Sequence, residues 1–217
     1  VVTKAEKDII KTAVNKQKSN TMRPRAKTPQ VMLSALNKMS FGSDKVMNGF
    51  ALLMNDIDED AAKEIVTWII ESNFSEERPD VLNLIICSPG GELASAFAII
   101  DVMKSSHIPI RTVGLGQIAS AGLMCFMAGS KGMRVLTPNT SIMSHAWSGG
   151  SIGKVGELFA VGKEFELTQQ RMISHYIRHT GLKEKDVLTY LLPPHDVYLS
   201  AEEALELKLC DKIVDLK

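Results

Sequence analysis

From about residue 50 onward, apolar positions follow two alternating rhythms along this chain. Short apolar runs, GFALLMN, VLNLIIC, IPIRTVGLG, MRVLT, TSIMSHA and KIVDL, predict strands. Between them lie stretches with helical spacing: AAKEIVTWIIESNF, ELASAFAIIDVMKSS, ASAGLMCFMAGS, GKVGELFAVGKEFELTQQRMISHYIRH, LKEKDVLTYLL and AEEALELK. The punctuation agrees with this division. Asp56, Asp58, Glu59 and Asp60 lead into the first of these helices, where acidic groups meet the positive end of the helix dipole. SPGG follows the second strand, Pro138-Asn139 makes a turn between MRVLT and TSIMSHA, and Thr180-Gly181 stops the long helix. Strands separated by helices of roughly ten residues or more require crossover connections, and so predict a layered α/β domain with parallel strands.

The first forty or so residues break both rhythms. TKAEKDIIKTAVNKQKSNTMRPRAKTPQ is Lys-rich and polar, loses apolar periodicity after Val14, and is interrupted by Pro24 and Pro29. It predicts a short helix followed by a partly flexible arm. The division expected is an N-terminal arm over residues 1–45 and a folded domain over 46–217, with no internal repeat and no low-complexity tract.

Composition narrows the function classes. Lys plus Arg and Asp plus Glu each number 25, so the net charge is zero and nothing draws the chain in bulk to nucleic acid or to an anionic membrane. No apolar run reaches the length of a transmembrane helix, and VVTKAEKDII lacks the order of a signal peptide. Cys87, Cys125 and Cys210 lie far apart among apolar neighbours, which predicts free thiols in a reducing compartment, the cytoplasm or its organellar equivalent. Without a CxxC or Cys/His cluster, neither a metal nor a cofactor is expected. Met103, Met124, Met127, Met133 and Trp68 read as packing residues.

Chemistry in α/β folds gathers in loops at the carboxyl ends of parallel strands. Two small-residue motifs fall at such places, residues 88–91 and 116–122, and the second contains Ser120 in an apolar setting. Ser120 is either a small residue that lets two elements pack closely or a nucleophile at a helix start. A nucleophile needs a base, a group to orient the base, and donors for an oxyanion. The N–H groups of Ala121 and Gly91 suit the last role. His145, at the end of a strand and just before glycines, suits the first. His107 reads as a helix-end cap; His175 and His179, four apart on one helix face, read as solvated residues, with a metal pair as the alternative. Asp196 follows two prolines and by pattern reads as a turn or cap residue, with an orienting carboxylate as the alternative. The G-x-S-x-G elbow is absent, since Ile118 stands where it needs glycine. No P-loop is present either.

At these residues the chain resembles the proteolytic subunit of the Clp protease, the ClpP family. Gly116-Gln-Ile-Ala-Ser-Ala-Gly122 is similar to the family run Gly-Gln-Ala-Ala-Ser-Met-Gly around its nucleophile. Cys87-Ser-Pro-Gly-Gly91 matches the family's oxyanion turn, Pro138-Asn-Thr-Ser-Ile-Met-Ser-His-Ala-Trp147 its histidine strand, and His195-Asp-Val-Tyr-Leu-Ser-Ala-Glu-Glu-Ala204 its aspartate segment. The four motifs recur in family order across residues 49–214. The resemblance implies a ClpP/crotonase-like spiral of ββα units with a long protruding handle helix over about residues 153–179. It implies Ser120 as nucleophile, His145 as general base and acid, Asp196 as the group orienting His145, and Gly91 and Ala121 as oxyanion donors. It further implies a serine endopeptidase acting on unfolded polypeptides inside stacked heptameric rings, fed by a separate AAA+ unfoldase.

Three departures stand out. The family's N-terminal segment, which touches the ATPase, has no recognisable counterpart in residues 1–45. His-Gln-Pro has become His145-Ala-Trp147, bringing a large ring near the substrate groove. The arginine that pairs across rings is His195 here, which predicts weaker or more pH-dependent ring association, because an arginine keeps its charge throughout physiological pH. Two other classes stay open: a catalytically silent ring subunit, and a crotonase-type acyl-CoA enzyme.

Overall fold

β2 (Leu82–Ser88) and β3 (Ile110–Ala119) form the centre of a sheet whose pairings are parallel except at one margin. The computed structural model describes residues 49–215, within one compact unit spanning Met47–Asp215. The arm expected over residues 1–45 lies outside the described residues. β1 (Phe50–Leu53) flanks β2, while β4 (Arg134–Leu136) and β7 (Lys212–Ile213) continue the sheet beyond β3. β5 (Ser141–Ser144) also pairs with β3, and β6 (Val197–Leu199) pairs with β5 in the antiparallel sense.

β3 serves two neighbours on one edge. Thr112 to Gly114 pair with β4, and Gln117 to Ala119 pair with β5. The change falls at an irregularity in the β2–β3 register, where Gly116 takes φ 60°. The Pro138-Asn139 turn is tied back to the same strand, because Thr140 Oγ1 donates to the Gly114 carbonyl at 2.9 Å. The strand predicted to end near Gly116 therefore continues to Ala119, and the helix predicted from Ala119 begins at Ala121. Pairing with β5 outweighs the helical propensity of Ala119.

Helices cover the sheet. α1 (Glu59–Phe74) starts at Asp58, whose carboxylate accepts from Ala61 N–H at 2.8 Å. It packs on α2 (Leu93–Ser105), which in turn packs on α3 (Ala121–Met127). Every residue of α3 is buried, including Met124 and Met127, and Trp68 of α1 is buried as well. α4 (Val155–Thr180) is the long helix, ended by Gly181 at φ 70°. Residues 155–160 are all on the exposed side, whereas Met172, His175, Tyr176 and Thr180 are buried against the domain. α5 (Glu184–Tyr190) and α6 (Ala201–Glu206) complete the chain, α6 being capped reciprocally by Ser200 and Glu203.

The buried end of α4 corrects one expectation. His175 and His179 are not solvated: His175 is 4% exposed and donates through Nε2 to the Met124 carbonyl at 2.9 Å. Positions 172, 175, 176, 179 and 180 share one helical face, and that face packs on the domain. Among the described residues, no group of three His, Cys, Asp or Glu side chains is placed to hold a metal ion.

Candidate active site

Three neighbouring strand ends converge at one margin of the sheet. Ser120 follows the last residue of β3, and its N–H extends the ladder by donating to the Met143 carbonyl at 2.9 Å. His145 follows the last residue of β5, the strand parallel to it. Asp196 precedes the first residue of β6, which runs the other way. The β5–β6 register pairs Met143 with Tyr198 and Ser144 with Val197, so its next step sets His145 opposite Asp196. Antiparallel partners share a sheet face. The topology thus delivers a hydroxyl, an imidazole and a carboxylate to one place from positions far apart in sequence.

Distances grade the three. His145 Nε2 lies 2.8 Å from Ser120 Oγ, a hydrogen bond. His145 Nδ1 and Asp196 Oδ1 are 3.8 Å apart, and the Asp196 side chain is 53% exposed. That pair is close enough for electrostatic attraction and too long for a hydrogen bond. A hydroxyl bonded to an imidazole nitrogen can pass its proton to that nitrogen as its oxygen attacks a carbonyl.

The backbone around Ser120 is unusual. Its φ of 51° and ψ of −122° are rare for any residue with a side chain, and of order 1–3 kcal/mol must be supplied by the surroundings. The SPGG turn supplies part of the restraint. Ile57 N–H donates to the Gly90 carbonyl at 2.8 Å, and Glu92 N–H donates to the Ile57 carbonyl at 2.7 Å, so Gly91 is bridged to Ile57. A Cβ on Gly91 would come within 2.3 Å of the Ile57 carbonyl oxygen. One on Gly90 would lie 2.8 Å from Ser120 Cβ and 3.0 Å from Ala121 N. Ser88 secures the turn, accepting from Gly90 N–H at 3.1 Å and donating to the Asn55 carbonyl at 2.7 Å.

The N–H groups of Ala121 and Gly91 are spent neither within α3 nor in the bridge to Ile57. Ala121 opens α3, where the first N–H groups have no partner within the helix. The N–H of Gly91 takes no part in its bridge to Ile57, because the bonds to Gly90 and Glu92 straddle it.

The histidine loop is held from behind. Ser144 Oγ donates to the Leu191 carbonyl and accepts from Tyr176 of α4 at 2.8 Å. Ala146 N–H donates to the Pro193 carbonyl at 3.1 Å, and Trp147 packs edge-on against Phe165 of α4 with ring centroids 4.9 Å apart. Gly90, Ile57, Ser88 and Tyr176 are the supports that sequence reasoning did not single out. The SPGG run pointed at Gly90 and Ser88; nothing in the local pattern pointed at Ile57 or Tyr176. The remaining histidines lie apart from this hydrogen-bonded set: His107 donates its N–H to Asn73, His175 bonds to Met124, and His195 is exposed.

A parallel sheet with crossover helices, an antiparallel margin carrying a serine–histidine pair, and a long helix leaving the body make this an α/β protein of the ClpP/crotonase fold. The Clp protease family model matches residues 43–217, and the chain belongs to that family.

Proposed function

We propose that this chain is a ClpP-like serine endopeptidase that cleaves unfolded polypeptides and short peptides within an oligomeric chamber. The observation that carries the reading is the 2.8 Å contact between His145 Nε2 and Ser120 Oγ, made at a backbone position of positive φ. Ser120 Oγ attacks the scissile carbonyl while His145 takes its proton, then returns it to the leaving amine. The N–H groups of Gly91 and Ala121 hold the oxyanion. Water, activated by His145, releases the acyl group and restores Ser120. Asp196 orients the imidazole once its separation from Nδ1 shortens by roughly 0.6–1 Å into hydrogen-bond range.

Assembly into stacked heptameric rings and feeding by a separate AAA+ unfoldase belong to the same proposal, supported by family membership and by the exposed apolar side of α4. Cys87, Cys125 and Cys210 are free thiols, in keeping with a reducing compartment such as the cytoplasm or its organellar equivalent. No described helix is long and apolar enough to cross a membrane.

The 3.8 Å separation and the exposure of Asp196 favour one second reading, a latent or silent ring subunit. Labelling by a fluorophosphonate probe separates the two. An active peptidase is labelled, loses the label in Ser120→Ala, and cleaves a fluorogenic peptide with the same dependence. A folded oligomer that neither labels nor cleaves supports the silent subunit.

A further inference from the structure

Two consecutive residues of α4, His175 and Tyr176, reach the two elements that carry Ser120 and His145. Both are buried, and α4 packs on α3. Successive helix positions are turned by about 100°, so neighbours in sequence face different elements. His175 donates through Nε2 to the Met124 carbonyl at 2.9 Å. Met124 belongs to α3, the helix that follows Ser120. Tyr176 Oη donates to Ser144 Oγ at 2.8 Å, and Ser144 is the residue before His145. The serine's own proton goes to the Leu191 carbonyl, so the phenol is the donor in that pair.

Packing alone does not account for the pair. The buried face of α4 suits apolar side chains, and leucine would fill position 175 without burying polar atoms. A neutral histidine that donates through Nε2 keeps an acceptor at Nδ1. That Nδ1 is buried with no hydrogen-bond partner among the described residues, an arrangement that costs stability. What it secures is direction. A hydrogen bond weakens steeply as its angle bends, whereas apolar burial is indifferent to direction. The His179 ring lies against the His175 ring, centroids 4.4 Å apart, and so restrains the donor.

The nucleophile and the base strand already meet once, where Ser120 N–H donates to the Met143 carbonyl at the end of the β3–β5 ladder. A single rung at the end of a ladder lets the segments beyond it pivot, and both α3 and His145 lie beyond that rung. Bonds from one turn of α4 to Met124 and to Ser144 give each segment a second fixed point. We propose that His175 and Tyr176 are positioning residues that together set the separation of Ser120 from His145, the first through α3 and the second through Ser144. The 2.8 Å contact between His145 Nε2 and Ser120 Oγ is the distance they set. Both act through other residues, Met124 and Ser144, and the catalytic consequence of their role rests on the peptidase reading.

Full-length variants in their native assembly test the pair. His175→Leu removes one donor, and the Met124 carbonyl still accepts from Ala128 N–H at 3.2 Å. Tyr176→Phe removes the other, and Ser144 still donates to the Leu191 carbonyl. Both variants are therefore expected to fold, with melting temperatures near the parent's. On a fluorogenic peptide each is expected to lower kcat about tenfold with KM unchanged, because displacement at the reacting atoms acts on the transition state rather than on binding. His175→Gln, which keeps a donor, should retain most of the rate. The double variant should lose little more than either single one, as residues acting as a unit do. A parental kcat in both single variants overturns the proposal, as do losses that multiply in the double variant or that simply track melting temperature. The crystallographic separation of His145 Nε2 and Ser120 Oγ reads the same role without turnover. It should lengthen in both single variants, and an unchanged separation overturns the proposal. A parent that neither labels nor cleaves would sink the peptidase reading alone, and the separation would then decide the positioning role.

Discussion

Ser120 holds a conformation that its own chemistry disfavours, and the residues imposing it are small. Gly90 touches the serine directly, at φ 103°, in a space where a Cβ would lie 2.8 Å from Ser120 Cβ and 2.9 Å from the Ala119 carbonyl oxygen. Both neighbours belong to the backbone or sit one bond from it, so neither can swing away. Gly90→Ala is therefore expected to cost about 1–3 kcal/mol in stability through overpacking, and more through the unfavourable φ. It is also expected to slow fluorophosphonate labelling by at least about 100-fold, because displacement of roughly an ångström at a reacting atom costs that much. Gly150→Ala is the control, since nothing lies within 4 Å of its added Cβ. Urea unfolding and labelling rates measured on both variants decide it; a Gly90→Ala protein that labels at the parental rate would show that the turn does not position the serine. This scale was partly legible in sequence. A glycine pair beside a serine-bearing motif signals close approach, but which glycine meets the serine depends on a parallel bridge to Ile57, more than thirty residues away, that no local pattern records.

Element boundaries in this chain follow the apolar rhythm except where one edge of a strand changes partner, as β3 does between β4 and β5. The central strands, the capped helices and the long helix could all be read from periodicity and caps. β3 could not be read to its end, because its final residues, Gln117 to Ala119, are held as strand by pairing with β5. The order of Ser120, His145 and Asp196 along the chain was legible, and so was their placement at strand ends. Their convergence depends on the antiparallel return of β6, a three-residue strand too short to announce its partner. The histidines of α4 misled for a different reason: i,i+4 spacing states which residues share a face, and packing decides whether that face is wet. Burial has a consequence for α4. His175 is pushed down to about 3 by desolvation, reinforced by the positive charges of His179, Lys104 and Arg178 and opposed by its bond to the Met124 carbonyl. His179 is lowered to about 4, again chiefly by burial. An unfolded histidine takes up its proton near pH 6.5. Below that pH the unfolded chain gains protons that the native chain refuses, so stability is full above about pH 6.5 and declines as the solution is acidified toward the folded values. For His175 alone the loss at pH 5 is about 2 kcal/mol. Melting temperatures measured between pH 7.5 and 5 should fall accordingly, and His175→Gln, which keeps a donor for Met124, should flatten the decline. A variant with the parental slope would assign the acid sensitivity elsewhere.

Among the described residues, the outer half of α4 presents an apolar face that the domain leaves uncovered. Val155 is 72% exposed and Phe159 is 77% exposed, one turn apart on the half of α4 that stands away from the body, with Ile152 fully exposed just before them. Apolar residues grouped in this way on one helix mark a surface that meets a partner, and a second copy of this chain is the partner that family membership favours. Such a contact bears on the site as well. α4 holds the histidine loop through Tyr176 and Phe165, so bracing its outer half steadies His145 from behind. At the site itself, the solvent around half-exposed Asp196 weakens its pull on His145 across 3.8 Å. Association that restrains α4 is thus expected to favour the shorter His145–Asp196 contact that the proposed mechanism uses. Replacing Val155 and Phe159 together by glutamate should break the association while leaving the domain folded, since neither side chain enters its core. Sedimentation velocity should then report a smaller particle with an unchanged circular dichroism spectrum, and fluorophosphonate labelling should slow with it. An unchanged particle would remove this face of α4 as an interface. A smaller particle that labels at the parental rate would keep the interface and show that the serine–histidine pair is set within a single chain, with Asp196 acting from where it stands.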